Sequence, residues 1–151
     1  MLIYIIVGND RRPFNRLLDK VVEFIGDDDQ VEVVVQNGHT PQFQRKNWTW
    51  SRFFDSEQHI ENLTKSDLVI AHAGAGTLID CINHKKRPLL LPRLKEYDEH
   101  KNDHQMEIYH FALDKSLATP LTKDGVVRND NFEVNQRYNF DPIINYVIKK
   151  Y

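Results

Sequence analysis

Four short apolar runs constrain this chain more than any other feature: LIYIIV at residues 2–7, VEVVVQ at 31–36, DLVIA at 67–71 and PLLL at 88–91. Each is too short to be a stable helix, and each is rich in β-branched residues or leucine. Nearly continuous apolar runs of this length read as strands buried on both faces, the mark of a parallel sheet. Helical periods separate them. Phe14, Leu17, Leu18, Val21, Val22 and Ile25 recur at i, i+3, i+4, i+7, i+8 and i+11, with Pro13 at a first-turn position and Gly26 as terminator. Ser56 is placed to cap a helix over 56–64, and further helices are predicted over 77–83 and 103–114. Asp141-Pro142 has the form of an N-cap and first helical position, with Ile144, Val147, Ile148 and Tyr151 along one face. Residues 39–51, which hold Trp48 and Trp50, show no clean period and read as loop; Phe53-Phe54 reads as a short strand. A charged loop covers 93–101, and 124–139 is the least readable stretch. Strands alternating with helices predict one α/β domain over 1–151, Rossmann-like, with a mostly parallel sheet covered on both faces.

Composition removes several classes of function. A chain of 151 residues with 40% hydrophobic and 28% charged content suits a single packed core. A net charge of −2 without a long Lys/Arg block lacks the footprint of a nucleic-acid binder. Cys81 is the only cysteine, which fits a reducing, cytoplasmic setting. MLIYIIVGND has no basic leader and reads as a first strand, and no run approaches the ~20 apolar residues of a membrane span.

The junction DLVIAHAGAGTLID at 67–80 carries the chemistry. A strand runs into His72-Ala73-Gly74-Ala75-Gly76-Thr77 and then into a helix, at the end of a strand where open α/β sheets bind ligands. Two readings stand. Gly74 and Gly76 only make a tight turn, or they let backbone N–H groups at a helix N-terminus approach an anion, with the Thr77 hydroxyl beside them and the Asp80 carboxylate one turn in, able to accept from ribose hydroxyls. The sequence holds no G-x-x-x-x-G-K-[ST], no third glycine of a dinucleotide fingerprint and no G-x-S-x-G, so the P-loop, Rossmann NAD and serine-hydrolase readings fail.

SDLVIAHAGAGTLID resembles the donor-binding signature of the family 28 glycosyltransferases, and the likeness continues along the chain. IIVGNDRRPFNRLLDKV resembles their first strand, glycine loop and P-F-x-R-L helix. VEVVVQNGHT resembles the V-V-V-Q-x-G strand end, KRPLLLPR the K-P-L-x-V-P strand, and NDHQMEIY the D-N-H-Q-x-E segment. These stretches span most of residues 1–115 in the family's order. The resemblance implies the C-terminal, donor-binding half of a two-domain GT-B enzyme. The likeness is greatest to the small single-domain branch, which includes the catalytic half of the two-part GlcNAc transferase of dolichol-linked oligosaccharide synthesis and its exopolysaccharide and capsule counterparts.

Carried over residue by residue, the resemblance seats a UDP-sugar diphosphate on Gly74, Ala75, Gly76 and Thr77, with His72 at their head and Asp80 on the ribose. Most members have glutamate at that last position. His104 and Gln105 correspond to the residues that hold the donor sugar; the family's D-N order is inverted here as Asn102-Asp103. Gly8 and Asn9 approach the diphosphate from the first strand, Gln36 and Gly38 line the same end of the sheet, and Phe54 flanks the uracil. No metal or other cofactor is implied. The catalytic base is unassigned and expected on a membrane-anchored partner subunit, which also brings a lipid-linked sugar acceptor and recruits this chain to the cytoplasmic face of the membrane. The 93–101 loop and the C-terminal helix are candidates for that contact, although packing on its own sheet is the better reading of the helix. An exposed docking face could also give a homodimer when the partner is absent.

Competing readings are plainer. A non-catalytic nucleotide-binding module would keep the turn and lose the chemistry. A nucleotide-sugar epimerase would need a second domain. His100 and His104, four apart with Asp103 between, have helical metal-ligand spacing, but no third ligand stands out. His59, His84 and His110 read as surface or half-buried side chains, Cys81 as a small core residue, and Lys85-Lys86-Arg87 as a solvated helix end.

Overall fold

The computed structural model describes residues 1–122. The predicted helix at 141–151 and the stretch 124–139 lie outside them. Strands β1 (Leu2–Ile6), β2 (Glu32–Gln36), β3 (Trp48–Ser51), β4 (Leu68–His72), β5 (Leu89–Leu91) and β6 (Thr119–Pro120) form one sheet. Helices α1 (Asn15–Ile25), α2 (Ser56–Lys65), α3 (Ala75–Asn83) and α4 (His104–Asp114) connect them. The strand order is β3-β2-β1-β4-β5-β6 and every pairing is parallel. This is the doubly wound order, and the chain reverses direction across the sheet between β1 and β4.

Alternation along the strands divides the core. Ile3, Ile5 and Val7 face one way with Val33, Val35, Ile70, Leu89 and Leu91, and pack on Phe14, Leu17, Leu18 and Val21 of the α1 segment. Tyr4 and Ile6 face the other way with Val69, Ala71 and Leu90, against Leu63 of α2, Leu78 and Ile82 of α3, and Ile108 and Ala112 of α4. At the centre, Ile5 sits between Val35 and Ile70.

Several local expectations are corrected. Residues 48–51 are not loop: Trp48 and Trp50 alternate with Thr49 and Ser51 in the edge strand β3, where Phe43 packs on both indoles at 5.3 and 5.0 Å. Four residues of alternation are too few to stand out in sequence. Phe53-Phe54 is the connection out of that strand, not a strand. Asp55, not Ser56, caps α2, in a capping box with Gln58. Pro13 precedes the N-cap Phe14 instead of occupying the first turn. Helix α3 begins two residues before Thr77, which puts Ala75, Gly76 and Thr77 in its first turn.

Removing the Ile70 side chain, fully buried in β4, is expected to cost about 2–5 kcal/mol in the I70A variant. Ile60→Ala, at a position 44% exposed, should stay within about 0.5 kcal/mol. Urea unfolding of both variants checks the assignment of the core.

Candidate functional site

A cleft of about 630 Å³ opens at the carboxyl ends of β1 and β4, at the point where the strand order reverses. Its floor is built from two strand ends that touch through a histidine. Gly8, just past β1, has φ +93°, and a Cβ there would lie 2.9 Å from the His72 ring. A Cβ on Gly74 would lie 2.1 Å from the same imidazole. Both glycines are therefore required by the ring packed against them. Gly76 differs: a Cβ there would meet nothing within 4 Å, yet the residue is exposed and lines the cleft.

The loop after β2 braces the loop after β1. The Gln36 amide pairs with Gly8, its Oε1 accepting the Gly8 N–H at 3.3 Å and its Nε2 donating to the Gly8 carbonyl at 3.3 Å. Gly38, at φ +52°, leaves only 2.4 Å between a would-be Cβ and the Gly8 oxygen. Gln36 reaches the cleft; Gly38 stands behind it as a support.

The far wall is the start of α3. Gly74 is the N-cap without a side-chain cap, and the helical ladder opens with the Leu78 N–H donating to the Gly74 carbonyl at 3.0 Å. The N–H groups of Ala75, Gly76 and Thr77 thus precede the helical ladder, where partial positive charge gathers. His72, 9% exposed, lies below them with Nε2 3.2 Å from Thr77 Oγ1 and Nδ1 3.1 Å from Gln105 Nε2. Burial, aided by the charge of Arg93, holds this imidazole down at about 3, so it is neutral at physiological pH.

Of the predicted residues, Gly8, Asn9, Gln36, Phe54, His72, Gly74, Ala75, Gly76, Thr77, His104 and Gln105 all line the cleft. Asp80 does not reach its wall. Its carboxylate lies 3.3 Å from His59 Nε2, and it is His59 that lines the cleft there. Tyr4 Oη sits 3.0 Å from His59 Nδ1, and burial pushes the phenol well above its ordinary range, so it stays a donor. Phe54 packs edge-on against Tyr4 at 6.1 Å. His59 is thus half-buried as expected, but it belongs to the site. Tyr4 and His100 are further cleft residues that sequence reasoning missed. Their only signal was position: Tyr4 mid-strand, His100 among loop charges.

Arg93 is the larger surprise. Placed by sequence in a surface loop available to a partner, it is fully buried. Its guanidinium donates to the carbonyls of Val7, Arg12 and Glu99 at 2.8–3.2 Å and lies 4.8 Å from the Phe14 ring centroid. Glu99 is also buried and takes both ends of Arg16 at 2.7 and 2.9 Å. The 93–101 segment is folded inward at both of these positions. Its remaining charged side chains and Tyr97 reach solvent. His100 precedes α4 rather than sharing it with His104, and points toward Asp10 at 3.7 Å. Asn102 and Asp103 accept backbone N–H groups of His104 and Lys95. Among the described residues no group of three or more His, Cys, Asp or Glu could hold a metal ion.

Known proteins give the arrangement a context. A sequence profile of the glycosyltransferase family 28 C-terminal domain matches residues 2–116. Among solved structures, the glycotransferase of kitacinnamycin is similar at 13% identity and a TM-score of 0.59, over 83% of this chain and 31% of that one. The likeness is one of fold, and the chain spans about a third of that protein's length. No curated protein sequence matches the chain.

The free imidazole of an unfolded chain titrates near 6.5, far above its folded value. Between those two values the unfolded state binds more protons, so stability falls on acidification, by up to about 1.4 kcal/mol per pH unit from this group. Unfolding free energies at pH 6.5 and 5 should therefore drop more in wild type than in His72→Gln. Equal slopes would contradict a buried neutral His72.

Proposed function

The chain belongs to the glycosyltransferase family 28 C-terminal-domain family, and from that premise we propose that it is the donor-binding, catalytic subunit of an inverting UDP-sugar glycosyltransferase. It transfers a hexose or N-acetylhexosamine to a lipid-linked acceptor in exopolysaccharide or capsule assembly, together with a membrane-anchored partner. The observation that carries the reading is the cleft at the β1/β4 switch, walled by the unladdered N–H groups of Ala75, Gly76 and Thr77.

The diphosphate lies against those groups and the Gly8-Asn9 turn. Uracil and ribose extend toward Phe54 and His59, the latter backed by Asp80, and the donor sugar toward His104. An acceptor hydroxyl attacks the anomeric carbon, the bond from that carbon to the β-phosphate oxygen breaks, and the acceptor's proton passes to a base on the partner. Negative charge grows on the departing UDP, where the fixed N–H donors of α3 stabilise it without reorganising. That electrostatic role needs no divalent metal. Among the described residues no helix is long and apolar enough to cross a membrane; in this reading the partner supplies both anchor and acceptor. The exposed Lys95, Glu96, Tyr97, Asp98 and Lys101 of the inward-folded loop are the part of it left to meet that partner.

Calorimetry with UDP and UDP-sugars tests the donor reading. Gly76→Val is the sharper variant, because position 76 lines the cleft and a Cβ there meets no protein atom, whereas Gly74→Val would collide with His72. UDP is expected to bind wild type, with at least a tenfold loss in Gly76→Val, roughly 1.4 kcal/mol, at an unchanged unfolding midpoint. No binding, or binding indifferent to this change and to Asp80→Ala, would sink the proposal. Sugar transfer should need a membrane fraction carrying the partner; full transfer by the purified chain alone would contradict the split enzyme.

A further inference from the structure

The amide of Gln105 is not free to turn. Its Oε1 lies 3.2 Å from the Ala73 N–H and 3.1 Å from the Arg93 N–H. Both are backbone donors, so the atom that meets them is the oxygen, and the amide orientation follows from the network. Nε2 then faces His72 Nδ1 at 3.1 Å, and an amide nitrogen only donates. His72 Nδ1 must accept, so it carries no proton.

A neutral imidazole with a bare Nδ1 keeps its proton on Nε2. That atom is 3.2 Å from Thr77 Oγ1, so the imidazole donates and the threonine oxygen accepts. The Thr77 hydrogen is left to point elsewhere, and Thr77 lines the cleft. With the other tautomer the hydroxyl would spend its hydrogen on His72 and present only lone pairs to a ligand.

We propose that Gln105 and His72 are positioning residues that fix the Thr77 hydroxyl as a hydrogen-bond donor to an oxygen of the donor diphosphate. The inference rests on the UDP-sugar reading and deepens it. Every group that the first turn of α3 offers, three N–H and one O–H, is then a donor, which suits a fully ionised diphosphate. Gln105 acts mainly through His72 instead of as a sugar ligand, since three of its hydrogen-bonding positions are already engaged within the protein. The ends of β4, β5 and α4 thereby set the polarity of a single hydroxyl in the cleft.

The experiment has two arms on the full chain. Long-range proton–nitrogen NMR of the ligand-free protein at pH 7 should show His72 protonated on Nε2 and bare on Nδ1, with Nδ1 gaining a proton in Gln105→Glu, whose carboxylate can only accept. UDP titration should then show Thr77→Ser close to wild type and Thr77→Val about tenfold or more weaker, the range for a hydrogen bond to a charged group. Gln105→Glu should also weaken UDP, but should cost little further in the Thr77→Val background, where no hydroxyl remains to orient. A wild-type proton on Nδ1, a Thr77→Val variant that binds UDP normally, or fully additive losses would each overturn the proposal. Wild type failing to bind UDP would sink the donor reading itself. That failure is told apart because the tautomer is measured without ligand.

Discussion

Three chain ends meet at one side-chain amide. Gln105, at the start of α4, accepts the N–H of Ala73 after β4 and of Arg93 after β5, and donates to His72. Leaving such buried donors without a partner costs about 1–3 kcal/mol each, so the position of α4 against the sheet is set by this contact as much as by Ile108 and Ala112. The consequences run outward. A fixed His72 ring dictates glycine at positions 8 and 74, because any Cβ there strikes it. Gly8 in turn is gripped by Gln36 and closed over by Gly38. The cleft floor is thereby rigid before any ligand arrives, which is what electrostatic stabilisation of a leaving group requires.

A buried cation lies behind that floor. Arg93 bonds the Val7 carbonyl just before Gly8, while Glu99, its neighbour, is held by Arg16. Burial lowers the Arg93 guanidinium to about 10, so it remains charged at neutral pH. Ion pairs of this kind give little net stability after desolvation. They fix geometry instead. Here the Arg16–Glu99 pair ties the 93–101 segment to α1, while the hydrogen bonds of Arg93 to the Val7 and Arg12 carbonyls tie it to the β1 loop and keep a positive charge beneath the site.

Much of this was legible in the sequence. The apolar runs at 2–7, 31–36, 67–71 and 88–91 became four of the six strands, and the period from Phe14 to Ile25 became α1. The HAGAGT junction opens the cleft, and eleven of the thirteen predicted residues line it. What was hidden depends on distant partners. Trp48-Thr49-Trp50-Ser51 is too short to announce a strand, and a two-residue β6 leaves no pattern at all. Arg93 looks like any loop charge until the Val7, Arg12 and Glu99 carbonyls surround it. His59 becomes a site residue only because α2 lays it beside Tyr4 and Asp80. Gly74 and Gly76 look alike in sequence, yet one makes room for a ring and the other for the cleft.

Every role proposed for the cleft depends on where a nucleotide diphosphate sits. A map of backbone amide shifts during UDP titration of the full chain measures that directly. The largest saturable shifts are expected on Gly8, Asn9, Ala75, Gly76 and Thr77, around the β1/β4 switch. Those amides unmoved at saturation, with shifts gathered instead at the β3 edge or the 93–101 segment, would contradict that placement.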